Sequence, residues 1–98
     1  MSRAVIVRYQ TTAEAADENQ RLVEQVYAEL NADAPAGLRY MTFRLADQTT
    51  FVHVAVYDGE DRPLERSPAF AAFQAGLKDR LHTPPDPQPA SIVGSYQF

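Results

Sequence analysis

The chain has 98 residues, 45% of them hydrophobic and 22% charged, which suits one globular domain over residues 1–98 and argues against disorder. A net charge of −4, with nine Lys and Arg scattered along the chain, argues against a nucleic-acid binder and disfavours an anionic membrane surface. The absence of cysteine excludes disulfides, thiolate metal sites and thiol catalysis.

Residues 4–9 are short and β-branched and read as a strand. Their apolar run is too brief for a secretory leader and no later run could span a bilayer, so the expected location is cytoplasmic. Over residues 12–32 the period changes. Leu22, Val23, Val26 and Leu30 recur at helical spacing while Asp17, Glu18, Arg21, Glu24 and Glu29 take other faces, which predicts an amphipathic helix. Thr11 and Glu14 have capping-box spacing, Asp17 and Arg21 form an i,i+4 pair, and Asn31 followed by Ala34, Pro35, Ala36 and Gly37 ends the helix.

Residues 38–45 and 50–57 read as a hairpin with a four-residue loop. If Leu45 faces Thr50, then Phe43 faces Val52 and Met41 faces Val54. One face then carries Met41, Phe43, Leu45, Val52, Val54 and Val56 and is fully apolar, the expected seat of the helices. The other carries Tyr40, Thr42, Arg44, Phe51, His53, Ala55 and Tyr57, with Thr42 opposite His53 and Arg44 opposite Phe51.

Asp58, Gly59, Glu60 and Asp61 lack the alternating oxygen ligands of a calcium loop and read as a solvated turn. Ser67 and Pro68 supply an N-cap and a first-position proline, and Phe70, Phe73, Leu77 and Leu81 make the core stripe of a second helix to about residue 81. His82 is expected at its C-terminus as a cation on the helix dipole. The proline-rich residues 83–89 read as an extended loop, and residues 91–98 as a last strand.

The order strand, helix, strand, strand, helix, strand is that of an α+β, ferredoxin-like βαββαβ sandwich: a four-stranded antiparallel sheet with two helices on one face. The aromatic, half-polar face would then be an exposed patch unless covered. A second copy packed sheet to sheet would cover it and enclose a pocket, so a homodimer is expected.

The strands at 38–45 and 50–56, a second helix carrying Phe70, Ala71, Ala72 and Phe73, and a terminal strand at 93–98 resemble the antibiotic biosynthesis monooxygenase-like family of the dimeric α+β barrel superfamily. The resemblance implies a small-molecule substrate or ligand and oxygenation of a phenolic, quinol-like or polyketide-like compound with no cofactor. The haem-degrading branch uses an Asn, a Trp and a His; this chain has no tryptophan, and Asn19 and Asn31 lie on the first helix, so that branch is not implied. The quinone-forming branch also often has a tryptophan in its pocket, so its chemistry is not carried over residue by residue.

Oxygenation without a metal or flavin needs a base, a donor for the resulting anion, and a pocket that excludes water. His53 and Arg44 are the candidate catalytic pair, with Tyr40, Thr42, Phe51 and Tyr57 as substrate-binding residues. The plainer reading makes His53 a buried strand histidine bonded to Thr42, and Arg44 a partner across the dimer. An imidazole directed into the helix layer would remove the catalytic reading of His53. No metal site is expected from two lone histidines, nor a phosphate loop or serine elbow. Two other classes share the fold: a non-catalytic binding or regulatory dimer, and an isomerase or cyclase using His53 for proton transfer.

Overall fold

A computed structural model describes residues 3–98; Met1 and Ser2 lie outside it. The elements are β1 (Arg3–Thr11), α1 (Ala16–Asp33), β2 (Leu38–Arg44), β3 (Thr50–Tyr57), a 3-10 turn (Pro63–Arg66), α2 (Pro68–Ala75), α3 (Leu77–Arg80) and β4 (Leu81–Ala90). The strands form one antiparallel sheet in the order β2-β3-β1-β4. This is the expected ferredoxin-like arrangement. No helix among the described residues is long and apolar enough to cross a membrane.

The hairpin register is the expected one, with Met41 opposite Val54, Thr42 opposite His53 and Phe43 opposite Val52. Asp47 fixes its loop by accepting from the amides of Thr49 at 3.0 Å and Thr50 at 2.8 Å, while Gln48 takes a left-handed φ of 68°. The first helix begins later than expected, without a capping box. Ala15 is its N-cap and makes no side-chain cap bond; the Thr12 hydroxyl instead accepts from the Ala15 amide at 3.3 Å. Arg21 pairs with Glu18 rather than Asp17. At α2, Ser67 caps as expected, accepting from the Phe70 amide at 3.0 Å. Glu29 of α1 adds a carboxylate, accepting from the Ser67 hydroxyl and, at 3.2 Å, from the Ala69 amide.

Three expectations are corrected. The last strand is the proline-rich segment, not residues 91–98, which form no strand. Proline is compatible with an edge strand where its missing N–H would point away from the neighbour. Residues of one parity in an antiparallel pair exchange both bonds with the partner and those of the other parity exchange none. Pro87 and Pro89 share one parity, opposite Val7 and Val5, so both are accommodated together where that parity is the non-bonded one, and Pro84 and Pro85 fall at the register shift between Arg8 and Gln10. Second, the helix expected to run to residue 81 breaks at Gly76, and His82 sits exposed in β4 instead of ending a helix.

The third correction concerns facing. The helices cover the mixed-polarity face. Tyr9, Phe51, Ala55 and Tyr57 pack there with Val23, Val26, Leu64 and Phe73, and Val7 and Tyr40 lean against the cluster. The fully apolar face points outward, with Met41 39%, Phe43 46% and Ile6 37% exposed. The helix layer brings polar complements, Asn19 and Arg80, both buried, which the half-polar face needs and the apolar face does not.

Candidate active site

A cavity of about 500 Å³ lies between the helix side of the sheet and the second helical segment. Tyr9, His53 and Tyr57 line it from the central strands, Tyr40 from the edge strand β2, Phe70, Phe73 and Leu77 from the helices, and Pro85 and Pro87 from β4. The prolines present rigid apolar rings to it, so the segment read as a loop is a wall of the site. Arg62 and Glu65 stand among the lining residues, 3.9 Å apart, with the Arg62 guanidinium over the Tyr57 ring.

His53 is 5% exposed, its ring among those of Tyr9, Tyr40 and Phe73 at centroid separations of 5.3, 5.8 and 5.5 Å. Its Nε2 lies 2.8 Å from the Tyr9 hydroxyl, and its Nδ1 lies 2.5 Å from the Tyr40 hydroxyl and 3.2 Å from that of Thr42. The network continues on both sides. Asn19 Nδ2 donates to the Tyr9 oxygen at 2.9 Å, Arg80 Nε donates to Asn19 Oδ1 at 3.0 Å, and Arg80 Nη2 donates to the Phe73 carbonyl at 2.7 Å. At the other end the Tyr27 and Thr42 hydroxyls are 2.7 Å apart, and the Tyr27 ring stacks on Tyr40. No buried side-chain polar atom among the described residues lacks a partner.

Burial dominates the protonation of these groups. It holds the His53 imidazole down to about 4, so the ring is neutral at neutral pH. It pushes the Tyr9 phenol up to about 12, against the opposing pull of the Asn19 bond and the Arg80 charge, and raises Tyr40 well above the usual phenol range. These phenols serve as hydrogen-bond donors and remain protonated at physiological pH.

Of the residues singled out from sequence, Tyr40, His53 and Tyr57 line the cavity. Thr42 stands one bond behind His53, and Phe51, 1% exposed, is core beneath Tyr9, its ring 5.7 Å away and nearly parallel. Arg44 does not line the cavity. Its guanidinium bonds Asp17 at 3.1 Å, Gln20 at 2.7 Å and the Gln48 carbonyl at 2.9 Å, tying α1 to the hairpin end. The imidazole does point into the helix layer, which removes the catalytic reading drawn from the sequence; the cavity beside it lies within one subunit instead of between two. Among the described residues no cluster could hold a metal ion.

Sequence reasoning missed Asn19 and Arg80. Both carried a signal, because each occupies an apolar-stripe position: Asn19 one turn before Val23, and Arg80 one turn after Leu77. A polar residue on a buried stripe needs a partner, and these two have each other. Gly76 makes room for Arg80, since a Cβ there would lie 2.8 Å from its Nη1.

No family model matches the sequence, and no curated protein matches it. Solved structures do match in fold. Rv0793 from Mycobacterium tuberculosis superposes with a TM-score of 0.78 at 20% identity, covering 97% of this chain and 98% of that one. A candidate antibiotic biosynthesis monooxygenase from Nitrosomonas europaea gives 0.78 at 13% identity over 94% and 90%. SnoaB, a cofactor-independent oxygenase from Streptomyces nogalater, gives 0.72 at 16% identity over 99% and 98%. The chain therefore has the ferredoxin-like fold of the antibiotic biosynthesis monooxygenase-like proteins, as the sequence resemblance implied.

Proposed function

We propose that the protein oxidises a small aromatic or polyketide-like compound with molecular oxygen, using no cofactor. The observation that carries this reading is the His53 imidazole held between two phenols on the wall of an aromatic cavity of about 500 Å³, a volume suited to a small ring system. The fold likeness to SnoaB, a cofactor-independent oxygenase, supports it as analogy. The chemistry asked of the site is modest. An activated methylene loses a proton, the carbanion reduces dioxygen to a hydroperoxide on that carbon, and loss of water leaves a carbonyl: R2CH2 + O2 gives R2CO + H2O. Phe70, Phe73, Pro85 and Pro87 exclude water; a substrate acidic enough to lose its proton to solvent enters as the enolate, and the Tyr40 hydroxyl, held by His53, donates to the enolate oxygen.

The outer face supports a homodimer packed sheet to sheet. Ile6, Met41 and Phe43 are more than a third exposed and lie with Val52 and Val54 on one face, apolar but for Arg8 opposite Val52, the kind that a second copy covers. The cavity opens on the opposite side, so each subunit keeps its own site.

A second reading, a non-catalytic ligand-binding dimer, draws on a specific observation: both imidazole nitrogens already have partners, which leaves no free lone pair to meet a substrate. Oxygen uptake with a panel of hydroquinones and aryl-activated methylenes separates the two. The oxygenase reading expects protein-dependent oxygen consumption, lowered about a hundredfold or more in His53→Phe. Binding without consumption supports the module, and turnover under strict anaerobiosis supports an isomerase; either result overturns the oxygenase.

A further inference from the structure

We infer that the hydrogen bonds from Arg80 to Tyr40 all run in one direction and end in the Tyr40 hydroxyl as a donor into the cavity, where the ligand presents a carbonyl, phenolate or enolate oxygen. This deepens the proposed function and rests on the same cavity being the ligand site. The direction follows from the one member that cannot accept. A guanidinium only donates, so Asn19 must turn Oδ1 toward Arg80 and Nδ2 toward Tyr9. The Tyr9 oxygen therefore accepts from Asn19. Tyr9 is 2% exposed and, among the described residues, its only other partner is His53 Nε2, so its own proton goes there. Nε2 is then an acceptor, and the neutral ring carries its hydrogen on Nδ1. That hydrogen faces the Tyr40 oxygen at 2.5 Å, with Thr42 behind it at 3.2 Å. Tyr40 accepts it, and its own proton divides between the Thr42 hydroxyl beside it and a ligand oxygen in the cavity it lines.

Charge points the same way. Arg80 is 5% exposed, forms no ion pair among the described residues, and bonds only the neutral Asn19 oxygen and Phe73 carbonyl beneath the Phe73 ring. Glu18 and Asp79 act on its charge without forming an ion pair with it, so the guanidinium polarises the Asn19 end of the chain. Each bond in the chain polarises the next, which strengthens the terminal donor. Asn19 and Arg80 are thus positioning residues, setting which way an imidazole they do not touch holds its proton.

The test is the tautomer, read from ring nitrogen-15 shifts and couplings; the chain has two histidines, and exposed His82 serves as the internal reference. The wild type should show His53 protonated on Nδ1. In Asn19→Asp the new carboxylate pairs with Arg80 and accepts from Tyr9, which reverses the chain and moves the hydrogen to Nε2. A wild-type ring protonated on Nε2, or a tautomer unmoved in a folded Asn19→Asp, overturns the inferred direction. 4-Nitrophenol, whose phenol and phenolate absorb differently, probes the ligand class. The wild type should bind it as phenolate, and Tyr40→Phe and Asn19→Asp should each weaken binding about tenfold. Binding as the neutral phenol, no binding, or undiminished binding by Tyr40→Phe overturns the ligand class. An Nδ1-protonated ring in a protein that consumes no oxygen with any substrate instead sinks the oxygenase and leaves the chain's polarity standing.

Discussion

On the helix side of the sheet, Tyr9, Tyr40, Thr42 and His53 stand among aromatic and aliphatic residues, each polar group bonded to another. On the outer side, Ile6, Met41, Phe43, Val52 and Val54 offer no polar side-chain atom and are partly open to solvent. Within one chain the more polar face is therefore the better buried. Hydrophobicity alone does not choose the core. A buried hydroxyl or imidazole costs little once its bonds are made, and the helices bring the groups that make them. The outer face needs an apolar cover, which the proposed second copy would supply.

The comparison breaks most sharply if the outer face proves indifferent to charge. Phe43→Glu places a carboxylate where the proposed dimer buries apolar surface. It should cost dimerisation on the order of 3–5 kcal/mol and yield a monomer in sedimentation equilibrium. The folded subunit should keep its circular dichroism, because Phe43 is already 46% exposed there. A dimer as tight as wild type would show that this face is not the interface.

The inner face is next, through pH. Burial lowers the His53 pKa from 6.5 to about 4. Above 6.5 the ring is neutral folded or unfolded; between the two values only the unfolded chain takes up the proton. Its contribution is therefore complete above 6.5 and lost as pH falls to about 4, amounting to about 3 kcal/mol. Urea unfolding across that window should show the loss in wild type, and His53→Gln should lack that part of the slope. Equal slopes would place the imidazole in contact with water.

How much of this the sequence carried depends on the kind of information each element holds. The hairpin register was legible because period two ties every pair to the next, so Met41–Val54 and Thr42–His53 follow from one alignment. Grouping Tyr40, His53 and Tyr57 on one face was legible for the same reason. Which face met the helices was not, because alternation separates two sets of side chains without saying which is covered. Asn19 and Arg80 settle it, and they were legible only as polar interruptions of apolar stripes. Arg44 shared the face of His53, yet strand position placed it at the far end, beside Asp17 and Gln20. Residues 91–98 were misleading through composition: Ile92, Val93, Tyr96 and Phe98 favour strands, yet β4 already holds the place beside β1.

The smallest expected effect lies at that edge, where a single proline tests the facing of β4. Pro87 lies opposite Val7 and lines the cavity from the helix side. If its nitrogen points away from β1, Pro87→Ala gains no ladder bond and only frees the unfolded chain, for a loss of about 0.5–1 kcal/mol in unfolding free energy, read as a lower urea midpoint. It also adds an outward N–H to an edge that has none at residues 85, 87 and 89, so association at high concentration should rise. A nitrogen facing β1 predicts the opposite sign, since alanine would then complete a bond with the strand that carries Val7 and Tyr9. The direction of a shift this small decides whether the prolines are tolerated by the sheet or serve to close its edge.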